Sequence, residues 1–188
     1  VGISRTQEIV VALEEFKTSG KPVVAVGDYF SQDQYLLASY ADELIAHPIG
    51  GAALEGFSMY HNFYAEALDK LSVSMHVFRA GEYKSAAEPY LRSDMSTAQK
   101  SNALEWLEDL WASYTSTVEA NRELPSGAVD AYVNGYASRL VAGDGDSAKD
   151  ALDAGLIDQL LTRSQANEYL SDMAVSYTHL RAHETKAN

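Results

Sequence analysis

The sequence lacks cysteine altogether, which excludes thiol catalysis, cysteine-ligated zinc and disulfide frameworks. This absence leaves the cellular compartment open, because proteins without disulfides function both inside and outside the cytosol. The sequence also lacks any apolar run near the roughly 20 residues that span a bilayer. It begins at Val1 without a signal peptide or an initiating Met. We therefore expect that an N-terminal segment is missing.

Basic residues are scarce relative to acidic ones. Lys and Arg number 14 against 27 Asp and Glu, which gives a formal charge of −13 over 188 residues. This negative charge argues against nucleic acid and anionic membrane surfaces as primary partners. The apolar fraction of 46% and the charged fraction of 22% are typical of a soluble globular domain. A chain of this length buries enough surface to fold without a disulfide or metal.

The common motifs of catalytic and metal sites are also missing. The sequence contains no Gly-x-Ser-x-Gly elbow, no phosphate-binding glycine loop and no His-Glu-x-x-His motif. The stretch Gly143-Asp144-Gly145-Asp146 resembles part of a calcium loop but lacks the remaining ligands, so it predicts a turn. His47, His61 and His76 have no evident carboxylate partner and are interpreted as surface or core histidines. The sequence therefore predicts neither a metal nor a cofactor.

The first fifty residues alternate between helix and strand signals. A capping-box pattern at Ser4 and Gln7 predicts a helix that ends at Gly20. Short apolar runs at residues 23–26 and 43–46 predict buried strands, and residues 32–40 predict a helix between them. This alternation is typical of an α/β fold with parallel strands covered by helices.

The rest of the chain continues the mixed pattern. A second capping-box pattern at Ser96-Thr97-Ala98-Gln99 predicts a long helix that runs to about Glu123. The other predicted elements are strands at residues 54–59, 74–78 and 156–160, and helices at residues 62–71, 126–132, 146–154 and 164–173.

The last fourteen residues differ from the rest of the sequence. Residues 175–185 have no clear helical or strand period, and they break the acidic trend. They resemble the translation of a sequencing adapter that was read through in frame. We therefore interpret residues 1–174 as the natural domain, truncated at its start, and residues 175–188 as a non-native or disordered tail.

The segment around Lys84 offers the clearest candidate for chemistry. Lys84 lies among small or apolar neighbours at residues 83–87, and loss of hydration there would lower its pKa from about 10.4. Arg79 would act in the same direction, whereas Glu82 and Glu88 would oppose it. A neutral lysine can serve as the general base for a serine nucleophile. From the spacing alone, an ordinary solvated lysine remains the alternative.

At these residues the sequence resembles a known family. Residues 18–24, residues 41–48 and the stretch Phe78-Arg79-x-Gly81-x-Tyr83-Lys84-Ser85-Ala86 are similar to the N-terminal half of the enterobacterial-type signal peptide peptidases of serine peptidase family S49. The resemblance runs from about Ile3 to Leu170. It implies the Clp protease/crotonase-like fold, in which β-β-α units stack around a core of mostly parallel strands flanked by helices.

The resemblance also implies a catalytic role for Lys84. In the long, duplicated members of this family, a Ser-Lys dyad is split between two halves. The lysine general base carries over to Lys84, with Arg79, Gly81, Tyr83 and Ser85 as possible neighbours in the site. The serine comes from a Gly-Gly-x-Ala-x-Ser-Gly-Gly-Tyr stretch of the second half, which this sequence lacks.

A degenerate counterpart of the nucleophile motif lies at residues 27–35. Counting back from Tyr35 places Gln32 at the position of the nucleophile, and a glutamine amide cannot attack a peptide carbonyl. The neighbouring Ser31 is interpreted as a helix N-cap. Asp33 and Gln34 replace two glycines, which disfavours an oxyanion-binding turn. We therefore expect no nucleophile and no activity in this stretch of chain alone.

The family resemblance further implies partners and a location. Substrates would be cleaved signal peptides, bound in an apolar groove, with no cofactor. The chain's own C-terminal half would be a partner, and the assembly would be a homotetramer. An N-terminal anchor, absent here, would hold it on the periplasmic side of the bacterial inner membrane.

Two other functional classes remain open from the sequence. The missing nucleophile motivates a non-catalytic scaffold or oligomerisation domain of the same fold. A crotonase-type acyl-CoA enzyme would build its oxyanion hole from two backbone N–H groups, for which the Gly27-Asp28 turn is a weak match.

Overall fold

A computed structural model describes residues 3–78, 81 and 85–184, with side chains for these residues except 3, 4 and 176–184. The chain divides into two compact units. The first contains the residues up to 55 and from 115 onward, and the second contains residues 56–114. None of the helices in the described part of the chain combines the length and the apolar character needed to cross a membrane.

Helices and short strands alternate along the described residues. The helices are α1 (Ile3–Lys17), α2 (Gln32–Ala38), α3 (Ala65–Lys70), α4 (Glu88–Leu91), α5 (Thr97–Asn121), α6 (Ala128–Ala142), α7 (Ser147–Asp153) and α8 (Arg163–Glu184). The strands are β1 (Val24–Gly27), β2 (Phe30–Ser31), β3 (Glu43–Ala46), β4 (Ala52–Ala53) and β5 (Gln159–Leu160).

The first unit contains two small sheets, both parallel. Strands β1, β3 and β5 form one sheet in that order, with Val26 opposite Ile45 and Ile45 opposite Gln159. Strands β2 and β4 form the other, with Phe30 opposite Ala52. These parallel strands and their flanking helices confirm the predicted α/β class, and they agree with the Clp protease/crotonase-like fold.

Long-range hydrogen bonds hold the first unit together. The buried hydroxyl of Tyr35 on α2 donates to the Leu156 carbonyl at 2.6 Å, and the hydroxyl of Tyr132 on α6 donates to the Ala52 carbonyl at 2.9 Å. Burial raises the pKa of both tyrosines, so their hydroxyls remain donors at neutral pH. The largest fully buried apolar residues of this unit are Tyr35, Leu44, Ile45, Leu156, Ile157, Val118 and Val129.

Two predicted strands are wrong. Residues 54–59 and 74–78 have no strand structure, and the strand nearest to the first of them is the short β4. A strand is defined by hydrogen bonds to a neighbouring chain segment, and such a neighbour cannot be recognised from a local apolar run.

Several helix boundaries also differ from prediction. Helix α1 begins at Ile3, so Ser4 lies inside it, and α2 ends at Ala38 rather than at residue 40. Helix α6 is longer than predicted, and α8 continues past residue 173 to Glu184. Neither glycine nor proline interrupts residues 164–184, so local propensity allows the helix to continue.

The second unit consists of α3, α4, irregular segments and the first part of α5. Phe57 makes edge-to-face contacts with Trp111 and Tyr114 of α5, with centroids 6.2 Å apart in both pairs. Tyr64 stacks on Tyr90, and its backbone N–H donates to the Pro89 carbonyl at 2.6 Å. The first contacts hold the segment around Phe57 against α5, and the second hold the residue before α3 against α4.

Candidate functional site

A partly open cavity of about 340 Å³ lies within the second unit. We call it the α5 cleft. One wall comes from α5 and the other from the segment that leads into α4. Most of the lining surface is apolar, and it is contributed by Met59, His61, Ser85, Ala86, Pro89, Gln99, Asn102, Ala103 and Trp106. The volume is at the low end for small-molecule sites, and it suits one or two apolar side chains.

A buried carboxylate joins the two walls of the α5 cleft. Glu88, which is 2% exposed, accepts a 2.6 Å hydrogen bond from the hydroxyl of Ser96 and a 2.9 Å bond from its backbone N–H. The backbone N–H of Glu88 donates to the carbonyl of Ser85 at 2.9 Å. Hydrogen bonds to a buried carboxylate are strong, so Ser85 is held close to the start of α5.

The start of α5 brings a further polar side chain to the cleft. The Ser96 hydroxyl accepts from the backbone N–H of Gln99 at 3.1 Å, which confirms the predicted N-cap. The Oε1 atom of Gln99 is buried, and it has no hydrogen-bond partner among the described residues. The sequence did not predict that Gln99 lines the cleft. It also did not predict the hydrogen bonds between Ser96 and Glu88. The Ser-x-x-Gln pattern was the only local signal for either.

The described residues cover part of the predicted lysine site. Gly81 has a φ of 101°, which favours glycine, and Ser85 lines the α5 cleft. Lys84, Arg79 and Tyr83 lie outside the described residues, so their predicted roles stay predictions. Lys84 directly precedes Ser85 in the sequence.

The degenerate nucleophile position lies in the first unit, at the start of α2. Ser31 is the N-cap of α2: its hydroxyl accepts from the Gln34 backbone, and its own N–H donates to Gln34 Oε1 at 3.0 Å. The side chain of Gln32 accepts from the backbone N–H of Glu55 at 2.9 Å. Both side chains therefore make structural hydrogen bonds, and the N-cap interpretation of Ser31 is confirmed.

An ion pair lies just before this position. The hydrogen bond from Arg163, 2.5 Å long, holds the pKa of Asp28 below its ordinary value of 3.8. Asp28 is therefore an anion at neutral pH and is paired in the folded state. A carboxylate in that state is a poor general acid.

The calcium-like turn and the histidines take different places in the structure. Asp146 caps α7 by accepting from the Lys149 backbone at 2.8 Å, so the predicted turn is confirmed. His47 Nδ1 accepts from the Ile49 backbone at 3.3 Å, His61 lines the α5 cleft, and His76 is exposed. Within the described ranges, no three His, Asp or Glu residues are grouped as metal ligands would be.

Comparison with known proteins shows which peptidases this chain is similar to. Residues 15–175 match the model of peptidase family S49. The chain is 41% identical over 160 residues to Protease 4 of Haemophilus influenzae and 43% identical over 160 residues to Protease 4 of Salmonella typhi. Each match covers 85% of this chain and 26% of the relative, so the chain spans about a quarter of the length of these proteins.

A more distant relative comes from a plant. The chloroplastic serine protease SPPA of Arabidopsis thaliana is 30% identical over 95 residues, which cover 50% of this chain and 14% of that protein. The family match extends over most of the chain and includes both the α5 cleft and the start of α2. The chain therefore belongs to peptidase family S49.

Proposed function

We propose that this chain is the lysine-bearing part of a serine endopeptidase and that Lys84 is its general base. The observation that carries the proposal is the S49 match over residues 15–175, because it includes Lys84. The names of the relatives, Protease 4 and serine protease SPPA, agree with peptide hydrolysis. The proposed substrates are cleaved signal peptides, whose apolar segments would suit an apolar cleft.

The α5 cleft supports this role for the segment around Lys84. Ser85 and Ala86, which follow Lys84 directly, line a mostly apolar cavity of about 340 Å³. The bonds of Glu88 to Ser96 hold this segment against α5. A substrate side chain in the cleft would lie beside Ser85, the residue that follows Lys84 in the sequence. Binding that brings a substrate close to a catalytic group accelerates their reaction.

The proposed mechanism assigns one proton-transfer role to this chain. Neutral Lys84 takes the proton from a serine hydroxyl, and the serine oxygen attacks the peptide carbonyl. The lysine then gives the proton to the leaving amine, and later activates the water that hydrolyses the acyl-enzyme. The serine would come from a second half of the longer protein, since Ser31 and Gln32 are committed to structural hydrogen bonds.

The test uses the longer protein that carries this sequence. Lys84→Ala should abolish peptide hydrolysis, and Lys84→Arg should also be inactive, because a guanidinium does not lose its proton in proteins. Lys70→Ala, which removes an exposed lysine of α3, is the matched control and should retain normal kcat/KM. Circular dichroism would check that all three variants are folded. Near-normal peptide hydrolysis by a folded Lys84→Ala protein would show that Lys84 is not the general base.

The second candidate function is a non-catalytic scaffold, favoured by the structural roles of Ser31 and Gln32. Both candidates predict that the 188-residue chain alone does not react with a fluorophosphonate probe. Labelling of Ser31 by the probe would contradict both. We also propose that the longer protein forms a homotetramer and is anchored to the membrane on its periplasmic side. Size measurement would test the tetramer, and cell fractionation would test the anchor.

A further inference from the structure

One sequence pattern occurs at the starts of three helices with two different outcomes; its other occurrence, Ser4 and Gln7, lies inside α1. A Ser or Thr followed three residues later by Gln forms a reciprocal capping box when each side chain bonds the backbone N–H of the other. Ser31 and Gln34 form such a box at α2. Thr162 and Gln165 form another at α8, where the Thr162 N–H donates to Gln165 Oε1 at 3.0 Å and the Gln165 N–H donates to the Thr162 hydroxyl at 3.5 Å.

The third pair, Ser96 and Gln99 at α5, completes only half of the box. The Gln99 N–H donates to the Ser96 hydroxyl, but the Ser96 N–H donates to Glu88 instead of to Gln99. A carboxylate is a stronger acceptor than an amide oxygen. Glu88 therefore takes the donor that local sequence would assign to Gln99, and the amide of Gln99 is left without its usual partner.

The displaced amide oxygen lies beside an apolar cavity. A buried acceptor without a donor is unfavourable, and such groups in native proteins call for an explanation. Gln99 lines the α5 cleft, while its Oε1 atom has almost no exposed surface. Rotation about the terminal torsion of the side chain, which is soft in glutamine, would present the oxygen to a group bound in the cleft.

We propose that Gln99 is a substrate-binding residue that accepts a hydrogen bond from a backbone N–H of a peptide whose apolar side chain fills the α5 cleft. The lining selects an apolar side chain, and the small volume limits it to one or two residues. A backbone N–H accompanies every such side chain except proline. The inference rests on the proposed function for the identity of the ligand as a peptide substrate.

Three probes test the donor requirement on the 188-residue chain. They are N-acetyl-leucine methylamide and its two analogues in which one or the other N–H is replaced by N-methyl. Binding is followed by NMR titration of the signals of Ala86, Ala103 and Trp106, which line the cleft. We expect one of the two N-methylated analogues to bind about tenfold more weakly than the parent probe, as for loss of one hydrogen bond.

Two variants separate the role of Gln99 from a general effect on folding. Gln99→Met keeps the size of the side chain and removes its acceptor, so it should bind the parent probe about tenfold more weakly and no longer distinguish the analogues. Gln165→Met, the matched control, breaks the complete capping box of α8 and should leave probe affinity unchanged. Thermal unfolding should show a lower midpoint for Gln165→Met only.

Three results of the titration would contradict a hydrogen bond from the peptide to Gln99. Equal affinity for all three probes, unchanged binding by Gln99→Met, or no saturable shift of the cleft signals would overturn the inference; the last result would leave water as the occupant of the cleft. The titration involves no hydrolysis, so it is independent of the Lys84 test. Peptide hydrolysis by Lys84→Ala would contradict only the proposed function. Equal probe affinity of Gln99→Met and the unmodified chain would contradict only this inference.

Discussion

At the scale of single residues, Asp158 makes two connections that local sequence could not suggest. Its Oδ2 accepts from the Leu44 backbone N–H at 2.7 Å, and its Oδ1 pairs with the Arg122 guanidinium at 2.5 Å. The Arg122 side chain is only 8% exposed. Asp158 therefore neutralises a buried cation and also completes the hydrogen bonding of β3.

Replacing Asp158 should destabilise the first unit strongly. Asp158→Ala removes the counter-ion of a buried guanidinium and the acceptor of the Leu44 N–H, and we expect the free energy of unfolding to fall by about 2–4 kcal/mol. Urea denaturation followed by circular dichroism measures this change.

The matched control is Asp153→Ala, which removes the exposed ion pair of Asp153 with Lys149 on α7. Exposed pairs of this spacing contribute about 0.3–0.5 kcal/mol. Equal losses in the two variants would show that the burial of Arg122 does not matter.

At the scale of secondary structure elements, capping residues explain where several helices begin. Asp146 at α7 and Ser31 at α2 both accept from first-turn N–H groups. These residue types are favoured at N-caps because their short side chains reach the unpaired amides of the first turn. Both starts were predicted correctly from the sequence.

The Asp146 cap gives a second stability prediction. Asp146→Ala should lower the free energy of unfolding by about 1 kcal/mol, whereas Asp146→Asn should retain most of the stability because asparagine caps equally well. Thermal unfolding in the presence and absence of calcium checks both this cap and the turn interpretation of residues 143–146. A rise of the midpoint with calcium would contradict that interpretation.

Elements that depend on local signals were predicted better than those that depend on partners. The long helix α5 begins at Thr97, as the cap indicates, and β3 matches its predicted bounds of residues 43–46. Residues 54–59 and 74–78 are also predicted as strands but have no strand structure. Pairing with another segment decides between these outcomes, and that information is nonlocal.

At the scale of the whole molecule, negative charge is the dominant electrostatic feature. The formal charge is −13, yet particular carboxylates are locally stabilised as anions. Hydrogen bonds from Lys100 and Arg92 lower the pKa of Asp94 below 3.8. Burial opposes the same effect at Asp42, but bonds from Lys17 and the Val23 backbone outweigh it and lower that pKa as well.

These lowered pKa values predict loss of stability in acid. Asp28, Asp42 and Asp94 bind protons less readily in the folded chain than in the unfolded chain. Their contribution is therefore present above the ordinary pKa of 3.8 and is lost as the pH falls through the lower folded values. The midpoint temperature of thermal unfolding should therefore decrease as the pH is lowered below about 4.

A double variant isolates this effect. Asp28→Asn with Asp42→Asn removes two of the three groups, so its midpoint should be lower at neutral pH and change less in acid. Thermal melts of both proteins, followed by circular dichroism from roughly pH 3, where aspartates titrate, to neutral pH, measure the two curves. Parallel curves for the two proteins would show that other groups cause the acid loss.

The sequence by itself determined the α/β class, the starts of α2 and α7 and the family, because caps, apolar periodicity and motif residues act over a few neighbouring positions. Only the tertiary structure decided which strands pair, which carboxylates are bonded and where a cavity lies. Gln99 illustrates the difference. Its local pattern predicts a complete capping box, but the fold brings Glu88 to the same N–H. Glu88 and Gln99 could both accept from the Ser96 N–H, and the fold decides which of them does so. Gln99 lines the α5 cleft instead.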